Sequence, residues 1–115
     1  MIKRHIQTPI GHRVVEHNGV LYFGGLISRD LGLDMEGQTR DICARLDDLL
    51  AQTGSSRDNL LTAMIYISDF SMKDGMNKAW LGWIAAEHLP TRATIGVAEL
   101  GENVLVEIVI SAVRI

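Results

Sequence analysis

The chain has 115 residues, a formal net charge of −3 and a pI of about 5.7, which fits one domain with one hydrophobic core. The acidic balance and the lack of a basic stripe argue against a protein that binds nucleic acid by neutralising phosphates. The single cysteine, Cys43, excludes a disulfide framework or a cysteine-based metal site within the chain.

The lengths of the apolar segments indicate where the protein is located. The first residues, MIKRHIQTPIG, lack the apolar stretch of a signal peptide. No apolar run approaches the roughly 18 residues needed to span a membrane. We therefore expect a cytoplasmic protein without a membrane segment.

The N-terminal third predicts strands. Asn18-Gly19 separates two β-prone runs, and this dipeptide tolerates the positive φ angles of a type I′ turn. The pattern predicts a hairpin of residues 13–17 and 20–26, preceded by a short strand near 2–6. Residues 27–37 contain glycines and polar groups, and we expect an irregular loop there.

A helical period follows from 36 to 53. Its apolar stripe consists of Ile42, Leu46, Leu49 and Leu50. Asp47 and Asp48 fall largely on the other face and are interpreted as solvated, while Gly54 is a typical residue after a helix end.

The second half of the chain predicts one more helix between strands. Ser55 to Asp58 has the spacing of a capping box for a short helical turn. Residues 60–70 read as a covered strand. Ser71 is the expected cap of a helix over 71–88, which Pro90 terminates. Two strands follow, the last over 103–113.

The element order β β β α β α β β predicts an α+β fold, in which one mixed sheet carries both helices on one face. We expect residues 1–115 to form a single domain of this kind. Because the last strand is apolar at nearly every position, both of its faces should be covered. Two helices cover one face, so another subunit is the simplest cover for the other.

The pattern of ionisable residues offers few candidates for a reactive site. The four histidines show no helical pairing, so the sequence predicts no metal site. Gly24 and Gly25 follow a strand, where glycine permits close approach of a ligand or another chain. Trp80 and Trp83 are typical of a core or an interface, and Cys43 of an inert helix residue.

Arg92 and Glu107 are unusual because each lies in a strand that otherwise reads as core. Such residues are rarely buried unless they are paired. One interpretation is therefore a structural ion pair or exposure at a strand end. The other is a cleft at a subunit boundary, where Arg92 binds a carboxylate and Glu107 holds or activates water.

The stretch LPTRATIGVAELGENVLVEIVISAVR resembles the C-terminal signature of the Rid/YjgF family of reactive-intermediate deaminases. That signature has a proline two residues before an arginine, then V-A-x-L and a V-x-V/I-E-I-x-x-x-A-V-R ending. Upstream, GVLYFGGLIS is similar to the family's N-x-x-x-x-S-G-Q strand. TAMIYISDFSMKDGMNKAW is similar to its T-x-V-F-V-x-D-x-x-x-F-x-x-x-N-x-x-Y block.

The resemblance implies a chorismate-mutase-like fold, a homotrimer and three clefts between subunits. It also implies hydrolysis of enamines or imines such as 2-aminoacrylate to 2-oxo acids and ammonia, without a metal or organic cofactor. By position, Arg92 matches the arginine for the substrate carboxylate, Glu107 the water-positioning glutamate and Asn77 the helix asparagine. Gly24, Gly25 and Thr94 complete the substrate-binding set.

Three departures from the family pattern bear on function. Its S-G-Q is Gly24-Gly25-Leu26 here, its usual cysteine is Thr94, and its N-terminal tyrosine has no counterpart near 10–14. The first hypothesis is an imine deaminase with an altered substrate range. The second is a non-catalytic protein that binds a small carboxylate or a partner protein at the same cleft. RNA cleavage, attributed to some relatives, is disfavoured by the acidic charge.

Overall fold

The computed structural model describes residues 1–115 as one six-stranded sheet with two α-helices. This confirms the predicted α+β fold and its element order. Neither helix is long and apolar enough to cross a lipid bilayer. The strands are β1 Ile2–Thr8, β2 Gly11–His17, β3 Val20–Phe23, β4 Leu60–Ile67, β5 Thr91–Gly96 and β6 Val106–Val113, and the helices are α1 Met35–Gln52 and α2 Lys73–Trp83.

The strands lie in the order β1-β2-β3-β6-β4-β5, so the C-terminal strand β6 is inside the sheet and β5 is at its edge. All neighbours are antiparallel except β4 and β5, which are parallel. Parallel strands need a crossover connection, and α2 lies in the segment that joins these two. The sheet is therefore mixed, as predicted.

The two faces of the sheet have different surroundings. Along β6, alternate side chains from Val106 to Ala112 are buried under the helices. The opposite face carries the other side chains and is covered by no element of the chain. Tyr22 on that face is 54% exposed and Val113 is 39% exposed. The smallest dimension of the molecule, 20 Å, corresponds to these two layers alone.

Several local predictions are confirmed by backbone angles and caps. Asn18 and Gly19 have φ of 51° and 78°, as a type I′ turn requires. Asp34 accepts a hydrogen bond from the Gly37 N–H at 2.8 Å and so caps α1. Gly54 has φ of 86° directly after the end of that helix.

The predicted helix over 71–88 was too long at both ends. The carboxylate of Asp69, not the hydroxyl of Ser71, caps the 3-10 turn that leads into α2, because it accepts the Ser71 N–H at 2.9 Å. The helix ends at Trp83, since Ile84 is extended with ψ of 136°. Ile84 continues the apolar pattern but reaches the core from extended backbone.

Other predicted boundaries also moved. Ser56 rather than Ser55 caps the short turn Arg57–Asn59, because the Ser55 hydroxyl donates to Val113 O instead. The predicted strands over 60–70 and 103–113 are shorter, ending at Ile67 and beginning at Val106. Three further boundaries changed. The strand predicted over 2–6 extends to Thr8, and the strand predicted over 13–17 begins at Gly11. The strand predicted over 20–26 ends at Phe23 and is followed by one isolated bridge at Leu26.

Asp47 is not a solvated residue of the helix surface. Its carboxylate accepts two hydrogen bonds from the Arg57 guanidinium, at 3.1 and 2.6 Å, and one from Trp83 Nε1 at 3.0 Å. It thereby ties α1 to the end of α2. The interpretation of Cys43 as inert is supported, because burial raises the pKa of its thiol to about 12.

A buried glutamine fixes the segment that enters β6. Gln38, fully buried in α1, donates from Nε2 to Leu33 O at 3.1 Å and to Asn103 O at 2.9 Å. Its Oε1 accepts the Leu105 N–H at 3.0 Å. Both polar atoms of the Gln38 side chain are thus hydrogen-bonded to backbone groups.

Gln38→Leu should lower the free energy of unfolding by about 2–4 kcal/mol, because two carbonyls and one N–H lose their buried partner. Urea unfolding at fixed protein concentration measures this loss. Gln52→Leu is the matched control, since Gln52 is exposed at the end of the same helix, and it should change stability by less than about 0.5 kcal/mol. Equal effects of the two variants would show that Gln38 is not an anchor.

Candidate functional site

Arg92 lies on the helix-covered face of the sheet, at the edge strand β5. It is paired in register with Ala63, whose side chain is buried under the helices. Its Nη1 lies 3.9 Å from the sulfur of Met76 in α2. Burial lowers the pKa of the guanidinium from its ordinary value, yet it stays protonated at neutral pH. Arg92 belongs to no ion pair.

The guanidinium of Arg92 opens onto a cavity of about 270 Å³ between α2 and the start of β5. Half of the lining is hydrophobic, and we name this the arginine cavity. Its lining residues are Asn77, Trp80, Leu81, Leu89, Pro90 and Arg92. A single unpaired cation against apolar walls is a suitable arrangement for a small carboxylate.

Two further polar groups lie near Arg92 without partners in the chain. Thr94 is in register with Ile65 and therefore shares the face of Arg92. Its Oγ1 and the Oδ1 of Asn77 are buried, and neither makes a hydrogen bond within the chain. Such groups are costly to leave unpaired, so their partners come from outside the chain: a water molecule, a ligand or a neighbouring chain.

Glu107 lies on the opposite, uncovered face of the sheet. It is in register with Tyr66 on β4, and both are half-buried. No lysine, arginine or histidine forms an ion pair with it. An unpaired carboxylate in the middle of a sheet is able to accept a proton or to hold a water molecule.

The Glu107 carboxylate lies against Gly25. A Cβ on Gly25 would overlap Oε2 of Glu107 and lie 2.9 Å from its Cδ, so only glycine leaves the carboxylate in place. Gly25 is held there because Leu26 and Ile108 exchange two backbone hydrogen bonds of 3.0 Å. Gly24 also donates its N–H to Arg13 O at 2.9 Å. The group beside Gly25 is therefore Glu107 of the same chain, and the approach of a ligand or another chain to these glycines stays a prediction.

The six predicted site residues therefore form two separate groups within one chain. Arg92, Asn77 and Thr94 lie together at the helix-covered edge, whereas Glu107 lies against Gly25, the residue after Gly24, on the other face. An ion pair between Arg92 and Glu107 is excluded in the single chain, because the sheet separates them. Within one chain the two groups do not share a cavity.

Sequence reasoning missed a second cavity beside Gly24 and Gly25, at the closed end of the β1–β2 hairpin. It measures about 290 Å³, and we name it the hairpin cavity; its lining is Thr8, Ile10–Arg13, Gly24 and Gly25. A third cavity lies between the helices, where Arg40 and Arg57 are both paired with carboxylates. No three His, Cys, Asp or Glu side chains come together as metal ligands would.

The sequence of the chain is similar to one family of proteins along most of its length. The family described as Endoribonuclease L-PSP matches residues 7–114. A RutC family protein of Haemophilus ducreyi is 33% identical over 112 residues, which are 97% of this chain and 96% of that one. The RutC family protein YoaB of Escherichia coli K12 is 36% identical over 99 residues, 86% of each chain.

Solved structures agree with this grouping. An uncharacterised protein of Pseudomonas aeruginosa superposes with a TM-score of 0.95 at 28% identity, covering 100% of both chains. A YjgF family member of Neisseria meningitidis gives a TM-score of 0.95 at 32% identity, covering 100% of this chain and 96% of that one. With the match to the family over nearly its whole length, the chain belongs to the Rid/YjgF family, the family also described as RutC and L-PSP.

Proposed function

We propose that the protein is an enamine/imine deaminase that hydrolyses 2-imino acids to 2-oxo acids and ammonia in the cytoplasm, without a metal or organic cofactor. The observation that carries the proposal is the pair of unpaired ionisable groups, Arg92 and Glu107, on opposite faces of one sheet. Family membership supports the reaction class. The proposed substrate is 2-aminoacrylate, after tautomerisation to its imine, or a related imino acid.

Each active site is proposed to form between two chains of a homotrimer. The uncovered face of the sheet supplies the contact surface, and its exposed side chains include Tyr22, Ile95 and Val113. Exposed apolar groups on one contiguous face are typical of an interface. The number three comes from the resemblance to the family. In this assembly, Arg92, Asn77 and Thr94 of one chain face Glu107, Gly24 and Gly25 of the next.

The reaction needs few protein groups. Arg92 binds the carboxylate of the imino acid through two parallel hydrogen bonds and so fixes C2. Glu107 positions a water molecule, whose oxygen bonds to C2 while the C=N electron pair moves to nitrogen. Glu107 takes the proton of this water and passes it to the nitrogen. The C–N bond then breaks, and the hydroxyl proton passes to the departing ammonia, so that a protonated imine and water give a 2-oxo acid and ammonium.

The acceleration in this scheme comes mainly from placement. A protonated imine is already electrophilic, so the protein must chiefly hold the water and the carboxylate in the right relation. The buried acceptors Asn77 Oδ1 and Thr94 Oγ1 are suited to accept hydrogen bonds from the substrate nitrogen or from this water.

A binding protein without catalysis is the second candidate. It is favoured by Gly24, which stands where the family's serine supplies a hydroxyl. Imines freshly generated by an amino-acid oxidase separate the two functions, since the enzyme speeds release of ammonia and 2-oxo acid and the binding protein does not. RNA cleavage has no support from the charge of −3, and we expect none in parallel assays.

Arg92→Lys should lower kcat/KM for imine hydrolysis by about 30- to 150-fold, the equivalent of about 2–3 kcal/mol of charged hydrogen bonding. The lysine keeps the charge but loses the planar pair of donors. Arg40→Lys on the exposed face of α1 is the matched control and should leave kcat/KM for imine hydrolysis unchanged. Wild-type kinetics in Arg92→Lys would make Arg92 a structural residue.

Glu107→Gln should reduce turnover by roughly 100-fold or more, because it removes the base while keeping its shape. Thermal stability should stay close to wild type, since Glu107 has no ion-pair partner to lose. Glu99→Gln, an exposed site, serves as the control. A variant that is destabilised but fully active per folded molecule would remove Glu107 from the mechanism.

Co-expression of the two inactive variants tests the shared site. If Arg92 and Glu107 come from different chains, mixed trimers at equal expression should recover about one quarter of wild-type sites, because each site needs one intact residue from each neighbour. Light scattering should give a trimer mass for the wild type and the mixture. A monomer, or no recovery in mixed trimers, would refute the intersubunit site.

A further inference from the structure

The hairpin cavity adjoins the Glu107 half of the proposed site through Gly25. Gly25 lines the cavity on one side and contacts the Glu107 carboxylate on the other. Gly24 leaves further room, because the atoms nearest to a Cβ there are backbone oxygens at 3.7 and 3.8 Å. A substrate whose reacting carbon lies near Glu107 thus has open space beside it.

This space suits a polar group better than an apolar one. Ile10 is its only hydrophobic lining residue, and it is 99% exposed. An alkyl or aromatic side chain would therefore gain little burial there. At about 290 Å³ the cavity holds several non-hydrogen atoms, since one water molecule occupies about 30 Å³.

The charged group in this cavity is Arg13, which is half-buried. Its guanidinium makes no ion pair and donates no hydrogen bond, in contrast to five other arginines that donate to protein oxygens: Arg29, Arg40, Arg45, Arg57 and Arg114. Arg13 is also near enough to Arg45 that its charge, after burial, helps to lower the pKa of Arg45. The only other titratable lining residue, His12, is no anion.

We infer that Arg13 is a specificity-determining residue, and that the hairpin cavity receives the side-chain carboxylate of an imine derived from an acidic amino acid. The inference rests on the proposed function. Two unpaired arginines then bind the two ends of one dicarboxylate: Arg92 of one chain binds the carboxylate next to C2, and Arg13 of its neighbour binds the distal one. A basic side chain is repelled by Arg13, and a neutral one finds no partner.

The test compares imines of glutamate and alanine, each generated by an amino-acid oxidase. Wild-type protein should prefer the glutamate imine. Arg13→Gln should lower kcat/KM for that imine by roughly tenfold or more, the scale of one charged hydrogen bond, and should leave the alanine imine within about twofold. The effect should lie mainly in KM, because Arg13 does not touch the reacting atoms.

Arg4→Gln is the matched control. Arg4 lies on the neighbouring strand β1, makes no ion pair and does not line the cavity, so both imines should react as with the wild type. Arg13→Lys keeps the cation and should retain part of the preference, which covers the case in which Arg13→Gln fails to fold. Equal losses for both imines in Arg13→Gln, or a wild type that prefers the alanine imine, would overturn the inference.

Failure of the proposed function is distinguishable from failure of this inference. If no imine is hydrolysed, the deaminase proposal is wrong. Calorimetric measurement of 2-oxoglutarate and pyruvate binding then tests whether Arg13 binds a distal carboxylate. Tighter binding of 2-oxoglutarate that is lost in Arg13→Gln supports the assignment. Equal binding of the two acids, or binding that does not respond to Arg13, overturns it.

Discussion

The alternation of side chains along a β-strand determines where each ionisable group of this molecule lies. Arg92 shares its face with Ala63 and the helices, whereas Glu107 shares the other face with Tyr66. No change of rotamer carries a side chain through a hydrogen-bonded sheet. The two residues therefore meet only if two chains pack together, and assembly is part of the proposed chemistry.

The backbone around Glu107 is fixed on both sides along its strand. Leu105, two residues before it, is held by Gln38 of α1, and Ile108, the residue after it, is held by Leu26 through two hydrogen bonds. A catalytic group on a strand anchored in this way needs little reorganisation when a substrate binds. The same anchors place Gly25 against the carboxylate, so the core directly sets the geometry of the contact between Gly25 and Glu107.

Local patterns predicted the parts of this fold that depend on neighbouring residues. The Asn18-Gly19 turn and α1 were predictable because turn chemistry and helical periodicity act over a few residues. The end of α2 was not, since Ile84 keeps the apolar period while its backbone is extended. Asp47 was misread because its partners lie far along the chain. The sequence did not indicate a role for Arg13, because the end of the β1–β2 hairpin lies beside Gly24 only in the folded chain.

Thiol chemistry has little access to this protein. The only thiol, Cys43, is buried in α1, and its raised pKa keeps it protonated at neutral pH, so it reacts poorly with oxidants and alkylating agents. At the position where the resemblance to the family implies a cysteine, this chain has Thr94, whose hydroxyl cannot form a sulfenic acid. Reagents that modify thiols should therefore leave the surroundings of Arg92 and Glu107 unchanged.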